Sequence, residues 1–140
     1  MTTPYIMLVD DEVPFVETMT KRLDKRGLKV ISANCAEEAL DKLDDATHVD
    51  VIILDVKMPG MDGIETLQEI KKRHPLKEVI MLTGHATVET AIEGMKLGAF
   101  DYLMKPCDLD ILISKVNEAF EKKQTHDSKI EKARIDKLVL

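Results

Sequence analysis

A chain of 140 residues that is 44% hydrophobic and 33% charged has the composition of one ordinary globular domain with a single sizeable core. Its net charge of −6, from 26 acidic against 20 basic residues, argues against direct contact between this domain and nucleic acid, though it leaves room for a DNA-binding region elsewhere. Apolar runs are only a few residues long, and Met1-Thr2-Thr3-Pro4 lacks a basic region followed by a long hydrophobic one. Neither a signal peptide nor a membrane span is therefore expected, and the cytoplasm is the expected compartment.

In chain order, two periods alternate. Tyr5 to Val9 reads as an apolar strand with Asp10, Asp11 and Glu12 at its end. From Pro14 the spacing turns helical (Phe15, Met19, Leu23; Val16, Thr20), with Gly27 as the stop. Leu28 to Ile31 is a second strand, and Ala36, Ala39, Leu40 and Leu43 form a helix after an expected cap at Asn34. Cys35 and Cys107 are too few and too isolated for a disulfide scaffold or a thiolate metal site and read as reduced thiols; the eight Met residues read as core filler.

Val51-Ile52-Ile53-Leu54 is a run of large apolar residues, three of them β-branched, as in a strand buried on both faces at the centre of a parallel sheet. Asp55 ends it, and the loop chemistry of Pro59, Gly60 and Gly63 forbids continuation. Ile64, Leu67 and Ile70 make a third helix that stops at His74-Pro75. Val79 to Leu82 is a fourth strand ending at Thr83-Gly84. Val88, Ala91, Ile92 and Met95 give a fourth helix up to Gly98, and Phe100 to Met104 a fifth strand broken at Lys105-Pro106. Leu109, Leu112, Ile113, Val116 and Phe120 are the stripe of a fifth helix. After Glu121 the text is polar from Lys122 to Lys129, with a weak apolar return at Ile130, Ala133, Leu138 and Val139. Residues 4–121 thus read as the domain and 122–140 as a linker, a helical extension or a tail.

Five strands alternating with five helices imply a doubly wound α/β domain, a parallel sheet covered on both faces. Periodicity leaves the strand order open; 2-1-3-4-5 is one of two common answers. Parallel strands share one carboxyl edge, so Asp10 and Asp11, Asp55, Thr83 and Lys105 converge there, where open α/β sheets bind ligands. Three gathered carboxylates repel one another unless a cation joins them. Mg²⁺ prefers such oxygens and completes its shell with water and phosphate, while a Lys and a Thr hydroxyl hold the remaining phosphate oxygens. Nucleophile, metal and charge clamp are what phosphoryl transfer to an Asp requires.

These positions resemble a known family. Asp10-Asp11, Asp55 followed by Met58-Pro59-Gly60-Met61-Asp62-Gly63, Thr83, Tyr102 and Lys105-Pro106 are similar to the receiver domain of two-component response regulators, over about Tyr5 to Phe120. The resemblance implies a flavodoxin-like fold with strand order 2-1-3-4-5. It also implies a phosphoacceptor rather than a turnover enzyme, supplied by a sensor histidine kinase or phosphotransfer protein. Asp55 would be the acceptor. Asp11, Asp55 and the Lys57 carbonyl would ligate Mg²⁺, with Asp10 supporting the metal through water, and Lys105 would pair with the phosphoryl group. Lys105-Pro106 would be cis, Thr83 and Tyr102 the switch pair, and Lys57 and His85 the positions that tune the rate. The wording of Met58 to Gly63 and Thr83 to Ala86 is similar to receivers of bacterial enhancer-binding transcription activators, which implies an output region outside this chain, transcription regulation and a phosphorylation-dependent homodimer.

Two rival chemistries fit less well. A haloacid-dehalogenase-like phosphatase carries a catalytic Asp two residues after its nucleophile, where this chain has Lys57. A nucleotide-binding module needs a glycine-rich loop after the first strand, where this chain has Asp10-Asp11-Glu12.

Overall fold

The computed structural model describes residues 3–45 and 48–139. Met1, Thr2, Ala46, Thr47 and Leu140, and the side chain of Val139, lie outside the described residues, and with them the readings that rest on Met1, Thr2 and the Val139 side chain. The elements run β1 (Tyr5–Val9), α1 (Val13–Lys25), β2 (Lys29–Ala33), α2 (Ala36–Asp45), β3 (Val51–Leu54), α3 (Gly63–Arg73), β4 (Glu78–Thr83), α4 (Val88–Lys96), β5 (Asp101–Met104) and α5 (Leu109–Val139). All pairings are parallel and the sheet order is β2-β1-β3-β4-β5. The doubly wound, flavodoxin-like reading therefore holds, and Val51 to Leu54 is the central strand, buried throughout.

Alternation along the strands builds two cores. Met7, Val9, Ile52, Leu54, Val79 and Met81 pack with α2 and α3 through Ala39, Leu40, Leu43, Leu67 and Ile70. Their neighbours Ile6, Leu8, Val51, Ile53, Ile80 and Leu82 face α1 and α5 through Val16, Met19, Leu23, Leu112, Val116 and Phe120. A period of two on the strands and 3.6 on the helices is what lets one short sheet serve two layers.

Several boundaries differ from the sequence reading, each for a physical reason. The second strand starts at Lys29 and runs to Ala33, because Leu28 is used to close the end of α1, its amide donating to the Leu23 carbonyl at 3.2 Å. Asn34 does not cap α2 with its side chain; its amide instead donates to Glu38 Oε1 at 3.1 Å. β4 begins at Glu78, a buried carboxylate that no apolar pattern announces, flanked by Lys71 at 3.7 Å and Lys122 at 3.5 Å. For 122–140 the helical extension is the reading observed among the three: α5 runs past Phe120 to Val139, with Ile130, Ile135 and Leu138 exposed. Among the described residues, no helix is long and apolar enough to cross a membrane.

The register fixes the carboxyl edge. Val9 pairs with Ala33 and Leu54, Leu54 with Met81, and Thr83 with Met104, so the residues just past each strand lie side by side.

Candidate functional site

Asp55 follows β3 directly, and its amide donates to the Val9 carbonyl at 3.0 Å, which sets it beside Asp10. Asp10 is 1% and Asp55 2% exposed, while Asp11 is open to solvent. The three carboxylates offer oxygens within 4.8 Å of one another. Asp55 Oδ1 is buried without a hydrogen-bond partner. Such an orphaned, negatively charged acceptor is costly unless a cation or a covalent partner takes it up, so the donor set fits a hard divalent ion.

Lys105 answers part of that charge. Its ammonium bonds Asp10 Oδ2 at 2.6 Å and Glu12 Oε1 at 3.1 Å and stands 4.0 Å from the centroid of the Phe15 ring. Burial works to lower the Lys105 pKa, but the bonds to Asp10 and Glu12 and the fields of Asp10 and Asp55 raise it on balance, so the side chain stays charged. Burial pushes the Asp10 carboxyl above its ordinary value; the Lys105 bond and the Glu12 amide, 2.9 Å from Asp10 Oδ1, oppose this, and the Asp55 charge adds to the rise.

The loop after Asp55 is held by its own chemistry. Gly60 takes a φ of +76°, the left-handed region that glycine occupies without strain. Asp62 caps α3, accepting from the Glu65 amide at 2.9 Å. Gly63 donates to the Val56 carbonyl at 2.6 Å and lies so close that a Cβ built on it would stand 2.0 Å from the Asp55 carbonyl oxygen. A pocket of about 350 Å³ opens here, lined by Asp11, Glu12, Asp55, Lys57, Met58, Pro59 and His85. A larger cavity of about 630 Å³ lies at the opposite, amino-terminal edge of the sheet, but its Lys123 is already paired with Asp50 at 3.3 Å and Asp127 at 2.8 Å. Among the described residues it has no counterpart to the three gathered carboxylates.

Thr83, the last residue of β4, is fully buried; its hydroxyl oxygen accepts from the His85 amide at 3.0 Å, and its carbonyl accepts from the Lys105 amide at 2.8 Å. The Lys105-Pro106 peptide is cis. Tyr102 is half-buried, and its hydroxyl meets Thr90 Oγ1 on α4 at 2.7 Å. Thr90 belongs to the capping box that starts α4 with Thr87. Asp10, Asp11, Asp55, Lys57, His85 and Lys105 thus gather around one pocket and its wall, with Thr83 behind it. Tyr102 is engaged on the α4 side instead.

Sequence reasoning missed Glu12, Phe15, Gly63 and Thr90 as individual contributors. Glu12 had a signal, as the third acid after β1. Phe15 was read as one more apolar residue of the α1 stripe.

The response regulator receiver domain family matches residues 6–117. The DNA-binding transcriptional regulator NtrC of Klebsiella pneumoniae is 38% identical over 112 residues, which cover 80% of this chain and 24% of that protein. The transcriptional regulatory protein ZraR of Escherichia coli strain K12 is 39% identical over 114 residues, covering 81% and 26%. This chain spans about a quarter of the length of these relatives. A response regulator receiver domain protein from Clostridium thermocellum superposes with a TM-score of 0.83 at 36% identity, covering 87% of this chain and 98% of that one. NtrX from Brucella abortus gives a TM-score of 0.84 at 32% identity, covering 93% of this chain and 29% of that one. The chain belongs to the response regulator receiver domain family, a family of signalling domains rather than of turnover enzymes.

Proposed function

We propose that this domain takes a phosphoryl group on Asp55 from a histidine kinase or phosphotransfer protein of a two-component pathway and later releases it to water. Receiver domains interact with histidine kinases and bind Mg²⁺ at an acidic cluster. The observation that carries the finer reading is Asp55 Oδ1: a buried carboxylate oxygen without a hydrogen-bond partner, on a residue clustered with Asp10 and Asp11 and within the field of the Lys105 ammonium.

Asp10, Asp11, Asp55 and the Lys57 carbonyl would hold the metal. When bound, Mg²⁺ supplies positive charge to the phosphoryl oxygens. Asp55 attacks phosphorus, forming the O–P bond as the donor's N–P bond breaks, and the electron pair leaves with the donor imidazole. Lys105 exchanges Asp10 and Glu12 for a phosphoryl oxygen, and the Thr83 hydroxyl donates to another. In release, water attacks phosphorus and Asp55 departs as carboxylate; Lys57 and His85, which line the approach, tune that step.

For output, Thr83 moves toward the phosphoryl group and Tyr102 fills the space it leaves, which breaks the Tyr102–Thr90 bond at the start of α4. A ligand shifts such an equilibrium only through contacts that differ between the two states, and Thr83 and Lys105 are those contacts. The α4, β5 and α5 face then supports a homodimer. The likeness to the transcriptional regulators NtrC and ZraR supports transcription regulation through an output region outside this chain. Direct contact of this domain with nucleic acid is not part of the reading, given its net charge of −6.

Incubation with acetyl phosphate and Mg²⁺ followed by intact-mass measurement tests the acceptor. The wild type gains one phosphoryl group and Asp55→Asn none; a label that persists in Asp55→Asn rejects the assignment.

A further inference from the structure

Among the described residues, three groups of two kinds touch the Lys105 ammonium, which also lies in the field of Asp55. Asp10 at 2.6 Å and Glu12 at 3.1 Å are carboxylates, and on the proposed function both are released when the ammonium turns to a phosphoryl oxygen. The third, the Phe15 ring, is not consumed by that exchange. Its centroid lies 4.0 Å from Nζ, inside the range in which the negative face of an aromatic quadrupole attracts a cation.

The ring is also well anchored. Phe15 sits in the first turn of α1, just after Pro14, whose fixed φ stiffens the entry to the helix. It is half-buried against the core that α1 and α5 share. Lys105, by contrast, carries its charge on a flexible four-carbon stem that loses both of its anionic anchors during the reaction. An aliphatic side chain in place of the ring would exclude water from the ammonium and give nothing back; an aromatic face excludes water and attracts the charge.

We propose that Phe15 is a positioning residue for Lys105, holding the ammonium inside the pocket by its ring face while Asp10 and Glu12 are exchanged for a phosphoryl oxygen. The proposal rests on the reading of Asp55 as phosphoacceptor and adds a residue to it.

The test is a double-mutant cycle in the 140-residue chain, reading the rate at which acetyl phosphate with saturating Mg²⁺ labels the protein. Phe15→Leu slows labelling about three- to tenfold. Phe15→Tyr, which keeps the ring face, restores it. In a Lys105→Met background, Phe15→Leu slows the residual rate no further, because the ring acts through an ammonium that is no longer there. Equal slowing in both backgrounds makes Phe15 a packing residue only and overturns the proposal, as does a full rate in Phe15→Leu. A second readout needs no turnover: ring current moves the Lys105 Hε resonances upfield, and this displacement persists with fluoroberyllate bound and disappears in Phe15→Leu. Its loss on adding fluoroberyllate to the wild type overturns the proposal. Failure of the underlying reading looks different, as an unlabelled wild type or a label retained in Asp55→Asn.

Discussion

Gly63 has no side chain because Asp55 leaves no room for one. A Cβ would lie 2.0 Å from the Asp55 carbonyl oxygen and 2.6 Å from Val56 Cα, backbone atoms that cannot swing aside. Gly63→Ala therefore costs about 1–3 kcal/mol by overpacking, and the displacement falls on the peptide of Asp55, the proposed acceptor. Gly60→Ala meets open space and carries only its left-handed strain, about 1 kcal/mol. Urea unfolding and labelling rates compared across the pair check this, and equal behaviour of the two variants refutes it. Asp11 gives a second prediction at this scale. It is exposed and shares the cluster with Asp10 and Asp55, so Asp11→Ala relieves repulsion without opening a cavity. The protein free of metal keeps its melting temperature or gains, while Mg²⁺ affinity falls about tenfold or more; an unchanged Mg²⁺ titration counts against Asp11 as a ligand. Asp10, Asp55, Thr83 and Lys105 were legible because each ends or directly follows a strand whose end the sequence marks. Glu12, Phe15 and Thr90 were not, since their roles come from partners far along the chain. Lys105 reaches Glu12 across 93 positions, and no local spacing encodes that contact.

Elements were read well where burial is apolar and poorly where it is not. β4 starts a residue earlier than its apolar run because Lys71 and Lys122 make a buried Glu78 tolerable. α5 outruns its apolar stripe because helix propensity, ion pairs back to the sheet and pairs within the helix carry it beyond the core. Lys122 reaches Glu78, Lys123 bridges Asp50 and Asp127, and the Thr125 hydroxyl donates to the Glu121 carbonyl at 3.0 Å. Beyond Ser128 the described side chains are exposed on every face of the helix. A helix without a packed face is marginal in water. Amides past Ser128 should therefore exchange well before those of Leu109 to Phe120, and a chain ending at Ser128 should melt within about 1 °C of the full one. Protection past Ser128 equal to that of the core, in a monomeric sample, refutes this.

At the scale of the whole molecule, the alternation of periods was enough for the layers, while strand order needed the family resemblance, because which strands are neighbours is a long-range fact. The same view shows where the molecule is unfinished. Val88, Ile92 and Met95 on α4, Met104 at the end of β5 and Ile111 on α5 are exposed, Met104 by 65%. On the proposed function, fluoroberyllate with Mg²⁺ shifts sedimentation toward a dimer and protects amides across Val88 to Phe120. Ile92→Glu abolishes the shift without affecting labelling, and Thr83→Ala is labelled yet responds less. Unchanged mass and protection leave the switch without support. The sheet itself contributes to such pairing by what it withholds. β5 is an outer strand of four residues, the Tyr102 amide is already taken by the Asp101 carboxylate at 2.7 Å, and Pro106, just beyond the strand, has no N–H to give. A stranger's backbone finds almost nothing to zip onto at this border. On the proposed function, two copies that met here would be held by side chains alone, with no shared ladder to dismantle, so their partnership would end as soon as the signal does.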